Sequence, residues 1–341
     1  MTIMVTGGAG YIGSHTCVEL INHGHSIVIF DNFSNSQLEV PDRIERVTGV
    51  APAVVRGDVR DRDLLTATML KYQCRGVIHF AGLKSVAESV IRPLEYYDNN
   101  VVGSLRLVQT MRDADVRNLV FSSSATVYGE PTSLPLEEDH RLMPFNPYGR
   151  TKMMVEEMLS DLAGSSKSFK IAILRYFNPV GAHESGLIGE DPTGEPNNLM
   201  PFIAQVAVGR RPHLNVFGTD YETPDGTGVR DFVHVMDLAA GHLRALECLE
   251  NQDLIKVNLG TGHGTSVLEL VHAFSEASGK YIPVVFAPRR AGDVACCYAS
   301  PDLARRTLGW SATRDLDDIC RDTWRWQSGN PLGYKRVNEQ A

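Results

Sequence analysis

The stretch Ile3-Met4-Val5-Thr6-Gly7-Gly8-Ala9-Gly10-Tyr11-Ile12-Gly13 decides the fold. Residues 3–6 form a short β-branched, apolar run that predicts a strand. Glycines at 7, 10 and 13 then let the backbone turn tightly and approach a pyrophosphate at the N-terminus of a helix, where free N–H groups point outward. A glycine triplet also makes an ordinary strand-to-helix turn, so the residues around it carry the argument. Asp31 follows a second β-branched run, residues 27–30, where a carboxylate accepts from both hydroxyls of a ribose. It also repels a 2′-phosphate, and the following Asn32 and Phe33 bring no compensating Arg; the dinucleotide expected is NAD, not NADP. Asp58, in Gly57-Asp58-Val59, closes a third run and fits the adenine end, although a strand-end Asp also serves in solvated turns.

Outward from this unit the pattern repeats. Short β-branched runs at 53–55, 76–80, 118–122 and 171–174 alternate with helical stretches at 10–23, 60–72, 101–113 and 148–162. Such alternation, with continuously apolar strands, predicts an α/β fold with a doubly wound parallel sheet and ligands outside the carboxyl ends of its strands. After Asn178 the character changes. Residues 181–231 are rich in Gly, Pro and Asn and weakly periodic, whereas 235–249 read as one more helix, with Val235, Leu238, Ala239, Leu243, Leu246 and Leu249 near helical spacing. The expected division is a cofactor domain at 1–178, with 234–258 crossing back to it, and a smaller mixed α/β lobe from 179–233 and 259–341.

Composition narrows the partners. A chain of 341 residues, 43% hydrophobic and 22% charged, is ordinary globular material with length for about two domains. Its net charge of −8, without a run of Lys or Arg, argues against nucleic-acid binding, so an anionic ligand must be held by local Arg residues or backbone amides. No apolar stretch approaches the ~20 residues that span a bilayer, and the first ten residues lack the basic start and apolar core of a signal peptide. Six scattered cysteines show no C-x-x-C and the histidines no H-E-x-x-H, so a cytoplasmic protein with reduced thiols and no metal is expected.

Chemistry concentrates further on. Tyr148-Gly149-Arg150-Thr151-Lys152 follows Asn146-Pro147, a pair that starts helices, which puts Tyr148 and Lys152 on one helix face. A tyrosine of pKa ~10 is a poor base at neutral pH, and lowering it by about three units takes ~4 kcal/mol. An ammonium about 4 Å away supplies roughly that at an effective dielectric near 20, and a nicotinamide cation adds to it. Tyr-x-x-x-Lys alone is common on exposed helices. Behind a dinucleotide loop, and after a strand ending Phe121-Ser122-Ser123-Ser124, it predicts a tyrosine base, with Ser124 bonding the same substrate oxygen and helping to pass its proton. Ser122 and Ser123 also read as ordinary strand-end hydroxyls, and the sequence does not rank the three.

Together these residues resemble the extended short-chain dehydrogenase/reductase superfamily. Further motifs narrow the match: Phe80-Ala81-Gly82-Leu83-Lys84, Tyr96-Tyr97-Asp98-Asn99-Asn100, residues 122–129, Arg175-Tyr176-Phe177-Asn178-Pro179-Val180-Gly181, Asn197-Asn198-Leu199-Met200-Pro201 and residues 225–237 resemble the bacterial-type UDP-glucose 4-epimerase family. The resemblance covers nearly the whole chain. It implies a seven-stranded Rossmann-type sheet, a C-terminal substrate lobe, and a homodimer; the apolar helix pair of 96–113 and 149–162 is the natural interface, although a buried core reads similarly. It also implies NAD-dependent epimerisation at C4 of UDP-glucose and UDP-galactose through a 4-keto sugar, with Tyr148, Ser124 and Lys152 as the catalytic group.

Carried over residue by residue, the resemblance places the cofactor against Gly7, Gly10, Tyr11, Ile12, Gly13, Asp31, Asn32, Phe33, Ser34, Asn35, Ser36, Asp58, Val59, Phe80, Ala81, Gly82, Lys84, Asn99, Ser122, Tyr148, Lys152, Tyr176 and Phe177. It places the UDP-sugar against Lys84, Ser124, Tyr148, Phe177, Asn178, Asn198, Leu199, Phe217, Arg230, Arg290, Asp293 and Cys297. Family members restricted to glucose and galactose tend to carry a bulky Tyr where Cys297 stands. The small residue leaves volume for a 2-acetamido group, so UDP-GlcNAc and UDP-GalNAc are expected substrates too. Two alternatives share the loop. Nucleotide-sugar 4,6-dehydratases resemble the chain but carry an acidic pair where Ser124-Ala125-Thr126-Val127-Tyr128 has none, and NAD-sensing binding modules lose the Tyr or the Lys that stand here.

Overall fold

The computed structural model describes residues 1–165, 168–196, 198–290 and 292–334; Asn197 of the 197–201 motif and residues 335–341 of the expected C-terminal lobe lie outside the described residues. The first run becomes β1 (Thr2–Thr6), which stands inside a seven-stranded parallel sheet with β2 (Ser26–Asp31), β3 (Ala53–Arg56), β4 (Gly76–His79), β5 (Asn118–Ser124) and β6 (Lys170–Tyr176). Beyond β6 come β7 (Asn178–Val180), β8 (Leu214–Phe217), β9 (Val229–Arg230), β10 (Phe232–His234) and β11 (Leu254–Leu259). Strand β11 completes the sheet beside β6, pairing Leu254 with Ile171 and Leu259 with Tyr176, and reaches one residue past the boundary read at 258. The order is β11-β6-β5-β4-β1-β2-β3. Winding reverses between β1 and β4, which opens a crevice at their carboxyl ends.

Side-chain alternation fills both faces of the sheet. Ile3, Val5, Ile29, Ile78, Val120 and Leu174 pack on one side with α1 (Tyr11–Asn22), through Cys17, Val18 and Leu20, and with Leu238, Leu243 and Leu246 of the helix Val235–Cys248. Met4, Val28, Phe30, Val77, Leu119, Phe121, Ile171 and Ile173 pack on the other with Leu65, Leu107, Met111, Val155 and Leu159. Those partners come from α3 (Arg62–Lys71), α6 (Gly103–Asp113) and α7 (Pro147–Ser165). Between α1 and α3 lies α2 (Val40–Thr48), not among the helices expected above although Val40, Ile44 and Val47 recur at helical spacing; it buries Val40 and Ile44.

Two regions depart from the sequence expectation. The helix expected from Val101 starts at Gly103; before it, α4 (Val86–Ile91) and α5 (Pro93–Tyr96) run into a π-helical turn over Tyr97–Val102. Residues 181–231 contain α8 (Leu199–Ala207), whose sequence LMPFIAQVA is apolar nearly all round because it is buried, leaving little period to read. With β8, β10, α9 (Val235–Cys248), α10 (Val267–Ser278), α11 (Asp302–Leu308) and α12 (Leu316–Gly329) introduced, the smaller lobe's core can be given: Val180, Met200, Ile203, Leu214, Phe232, Leu270, Phe274 and Ile319. Among the described residues, no helix is long and apolar enough to cross a membrane.

One polar contact pins the sheet to α7. Arg175 on β6 donates to Glu156 on α7 at 2.6 Å, with both side chains almost fully buried. The Ser123 hydroxyl donates to the same carboxylate, and the remaining guanidinium nitrogen donates to the Tyr128 hydroxyl and the Glu138 carbonyl, each at 3.0 Å. Arg175→Met therefore leaves a buried carboxylate without its cation, at an expected cost of about 3–5 kcal/mol. The denaturant midpoint should fall accordingly, and Glu156→Gln in the same chain should restore part of it; an unchanged midpoint for Arg175→Met would show that the pair anchors nothing.

Candidate active site

The glycine loop is built for close approach. Gly7 has φ +70°, and a Cβ there would stand 2.7 Å from the Ala81 nitrogen; a Cβ on Gly13 would stand 2.3 Å from the Gly7 carbonyl oxygen. Gly10 caps α1 with no side-chain acceptor, so the first-turn amides of Tyr11 and Ile12 face the crevice as anion donors. The Tyr11 hydroxyl donates to the Gly181 carbonyl at 2.6 Å, which ties this loop to the chain leaving β7.

Asp31 closes β2 and organises the next turn. One carboxylate oxygen accepts from the Ala9 amide at 3.0 Å, the other from the Phe33 amide at 2.9 Å and the Ser36 hydroxyl at 3.0 Å. The oxygen that meets Ala9 keeps an acceptor site for a ribose hydroxyl. Phe33 takes φ +58° here, and Ser34 and Asn35 are exposed. Asn32 donates to Asp58 at 3.2 Å, and Arg60 grips Asp58 at 2.8 and 2.7 Å, holding that carboxyl down to about 2. Val59 buries its side chain in the core, which leaves only its backbone for a ligand. These features fit a dinucleotide with free ribose hydroxyls: no room for a Cβ at the loop, amides at a helix start, and a carboxylate beyond the second strand.

Phe80 and Ala81 both donate their amides to the Thr6 carbonyl, which sets the loop after β4 against the glycine loop. The partly buried Asn99 lies in the π-helical turn, and that turn rotates Asn100 inward. Asn100 accepts from the Leu83 amide at 2.8 Å and donates to the Leu83 carbonyl at 3.0 Å, holding the segment that carries Gly82 and Lys84. Lys84 pairs with Glu190 at 3.2 Å.

Helix α7 starts as expected, with Asn146 accepting the Gly149 amide at 2.8 Å. Lys152 is buried on the same face as Tyr148, donates to the Ser122 carbonyl at 2.7 Å and stands 4.8 Å over the Phe121 ring. Burial pulls its pKa down to about 8, against the Glu156 carboxylate one turn further along. Lys152 stands 6.0 Å from the Tyr148 ring centre, and burial of the Tyr148 hydroxyl pushes its pKa up, opposed only by a hydrogen bond with Ser124. The pair alone does not make a base, because the ammonium is held by a carbonyl and both groups are desolvated.

The structure also ranks the serines. Ser122 pairs with the Tyr176 hydroxyl, Ser123 with Glu156, and Ser124 with Tyr148 while accepting from Thr126 at 2.9 Å.

In the smaller lobe, Asn178 starts β7 and donates its amide to the Asp231 carbonyl, while Asn198 and Leu199 begin α8. Arg230 on β9 pairs in register with Cys297 of the short strand Cys296–Cys297. The Arg290 guanidinium lies 4.7 Å over the Phe217 ring and donates to Asp293 at 2.9 Å. Cys297 packs with Val127, Tyr128, Leu136, Phe177 and Ala299, and burial pushes its thiol up to about 11. Cys296 and Cys297 are both free. Sequence reasoning missed Glu190, Asn100 and Thr126. Asn100 and Thr126 lie inside quoted motifs, but no rule of spacing marks an inward amide in a π-turn; Glu190 stands in an aperiodic stretch.

A dinucleotide crevice at the switch point, flanked by a Tyr-Lys helix and a serine strand end, defines an NAD-dependent enzyme of nucleotide-sugar type. The chain belongs to the NAD dependent epimerase/dehydratase family, whose family model matches residues 3–260. It is 54% identical over 336 residues to the UDP-glucose 4-epimerase of Bacillus subtilis (strain 168), covering 98% of this chain and 99% of that one. Among solved structures it is similar to the UDP-glucose-4-epimerase of Stenotrophomonas maltophila with bound NAD and formylated UDP-arabinopyranose, at 54% identity and TM-score 0.95 over 96% of this chain and 98% of that one. It is likewise similar to the UDP-glucose 4-epimerase of Bifidobacterium longum in complex with NAD+ and UDP, at 47% identity and TM-score 0.95 over 98% and 100%.

Proposed function

We propose that this chain interconverts UDP-glucose and UDP-galactose by epimerising C4 through a 4-keto sugar, with NAD held throughout. The observation that carries the reading is the placement of Ser124, at the carboxyl end of β5, within interaction range of the buried Tyr148 hydroxyl, beside the switch-point crevice. Relatives of that name, matched along almost their entire length, support it. In this division of labour residues 1–178, with 234–258, hold the cofactor, and residues 179–233 and 259–341 hold the sugar nucleotide.

The chain's own groups define the mechanism. The first-turn amides of α1 hold the pyrophosphate, Asp31 and Ser36 the ribose, and Asn32 and Asp58 the adenine end. Bound NAD supplies a hydride acceptor and later a hydride donor for C4, together with a cationic ring in its oxidised form. Tyr148, protonated in the ligand-free chain, is favoured as a phenolate by the positive charge of the oxidised ring, its phenol proton passing to solvent before chemistry. The phenolate then takes the 4-hydroxyl proton and returns it when C4 is reduced, and Ser124 bonds the same oxygen and steadies the phenolate. Lys152 contributes positive charge from 6.0 Å off the Tyr148 ring centre. Arg230 and Arg290 hold the diphosphate by bidentate contact, with Asn178, Asn198, Leu199, Phe217 and Asp293 around the uridine. Firm distal binding leaves the sugar free to turn against a wall of Phe177 and Cys297.

Cys297 carries the extension to UDP-GlcNAc and UDP-GalNAc. Its side chain packs beside Phe177, and being smaller than a Tyr it would take up less of the space a 2-acetamido group needs. A second copy completes the molecule: Val90 and Ile91 on α4, Leu94 on α5, Leu105 on α6 and Met154 on α7 are exposed apolar side chains on the helices that would join a homodimer. Six free cysteines fit a cytoplasmic setting.

Three measurements test this reading. Tyr148→Phe should keep NAD and UDP bound and lose nearly all UDP-galactose turnover; a rate within about threefold of the parent removes Tyr148 as the base. Cys297→Tyr should abolish acetamido-sugar turnover, followed by proton NMR of the anomeric signals, and spare UDP-galactose; equal retention of both sinks the volume argument. Ile91→Asp with Leu94→Asp should convert a dimer to a monomer by light scattering, and an unchanged mass would place the interface elsewhere.

A further inference from the structure

Residues 181–196 form no helix or strand among the described residues, yet they run along the mouth of the crevice and are fixed on three sides. At one end the Gly181 carbonyl accepts from Tyr11, and at the other Thr193 donates to Asn35 at 2.5 Å. From below, Trp326 donates its ring N–H to the Glu190 carbonyl at 3.3 Å, and the Tyr334 hydroxyl donates to the Gly189 carbonyl at 3.2 Å. A Cβ on Gly189 would meet the Trp326 ring at 2.4 Å, so the backbone lies directly on the indole. The Glu190 carboxylate is thereby aimed into the crevice.

There a single oxygen of Glu190 accepts from Lys84 Nζ at 3.2 Å and from Asn198 Nδ2 at 3.0 Å. Lys84 belongs to the loop after β4 and Asn198 to the start of α8, so the carboxylate joins the two lobes across the site. The Glu190 side chain is 10% exposed and that of Lys84 47%. With its lysine half-exposed, the pair adds only modest stability. A carboxylate here also repels any diphosphate that enters. Stability and ligand charge thus both argue against it, and what it does accomplish is to place two donors before a ligand arrives.

We propose that Glu190 is a positioning residue for the sugar nucleotide, holding the Lys84 ammonium and the Asn198 amide where substrate meets them. The inference rests on the reading of this crevice as a UDP-sugar site. Binding then finds its donors already ordered, and the cost of ordering them is not charged against affinity. Glu190 acts through its two partners and touches no reacting atom.

The test uses the full-length enzyme with its cofactor, and UDP and UDP-galactose as probes. Glu190→Gln should raise KM for UDP-galactose about tenfold and weaken calorimetric UDP binding to match, while kcat stays within about threefold. In a Lys84→Met background the same change should cost much less, since one of its two partners is gone. Glu190→Asp, one methylene shorter, should fall between parent and Glu190→Gln and serves if the latter folds poorly. Unchanged or tighter UDP binding by Glu190→Gln overturns the proposal, as do fully additive losses in the double variant or a kcat loss with KM unmoved. UDP affinity reads Glu190 without turnover, so a failure of the epimerase reading registers separately as absent conversion of UDP-galactose by the parent enzyme.

Discussion

The buried pair of Arg175 and Glu156 is the constraint on which the site's geometry depends. Glu156 lies one turn from Lys152 and two from Tyr148 on α7, so whatever fixes its carboxylate fixes the rotation of the catalytic helix about its own axis. Arg175 fixes it from β6, and Ser123 from β5, beside the Ser122 carbonyl that takes the Lys152 ammonium and the Ser124 hydroxyl that meets the phenol. The same guanidinium reaches Tyr128 and the Glu138 carbonyl; Tyr128 in turn donates to Asn258 of β11 at 2.6 Å. Three adjacent strands, one helix and the loop after β5 are therefore registered by one network, every member of it desolvated. Partial satisfaction of such a network costs more than its absence, which makes it a strict positional device.

Charge handling follows a consistent plan. A protein of net charge −8 must receive a dinucleotide and a diphosphate sugar, and it does so with few cations, each restrained in advance. Lys152 is held by a carbonyl, Lys84 by Glu190, Arg290 by Asp293 and the Phe217 ring, and Arg230 by the Val229 carbonyl at 2.8 Å. Restraint of this kind lowers the ordering cost of binding, and each neutralising partner keeps the open crevice free of uncompensated positive charge. Tyr148 shows the other side of the design. Its raised pKa keeps the ligand-free chain from holding a phenolate in a desolvated cleft.

The packing around Cys297 is a joint product of the two halves of the chain. Leu136, in the loop after β5, donates its amide to the Tyr298 carbonyl at 2.9 Å, and its carbonyl accepts from Ser300 at 2.8 Å. That stitch lies beside Cys297, so the packing of Phe177 against Cys297 is set by residues distant in sequence. A side chain at 297 cannot escape its volume by local movement when both neighbouring segments are pinned.

The sequence by itself determined the parallel sheet, because continuously apolar strands alternate with helices over the first half, and it determined the dinucleotide loop, because glycine spacing and Asp31 are local features. It likewise placed Tyr148 and Lys152 on one face, since four residues make about one helical turn. Only the tertiary structure decided what those groups do to one another. The Lys152–Tyr148 separation of 6.0 Å, the assignment of three consecutive serines to three different partners, the inward Asn100 and the bridge from Glu190 to Lys84 and Asn198 all depend on packing between segments far apart in the chain. Helix α8 was hidden for the same reason: a buried helix has no polar face to mark its period. Local periodicity reports which face a residue occupies, whereas distance, desolvation and partner choice are set by contacts that no local window contains.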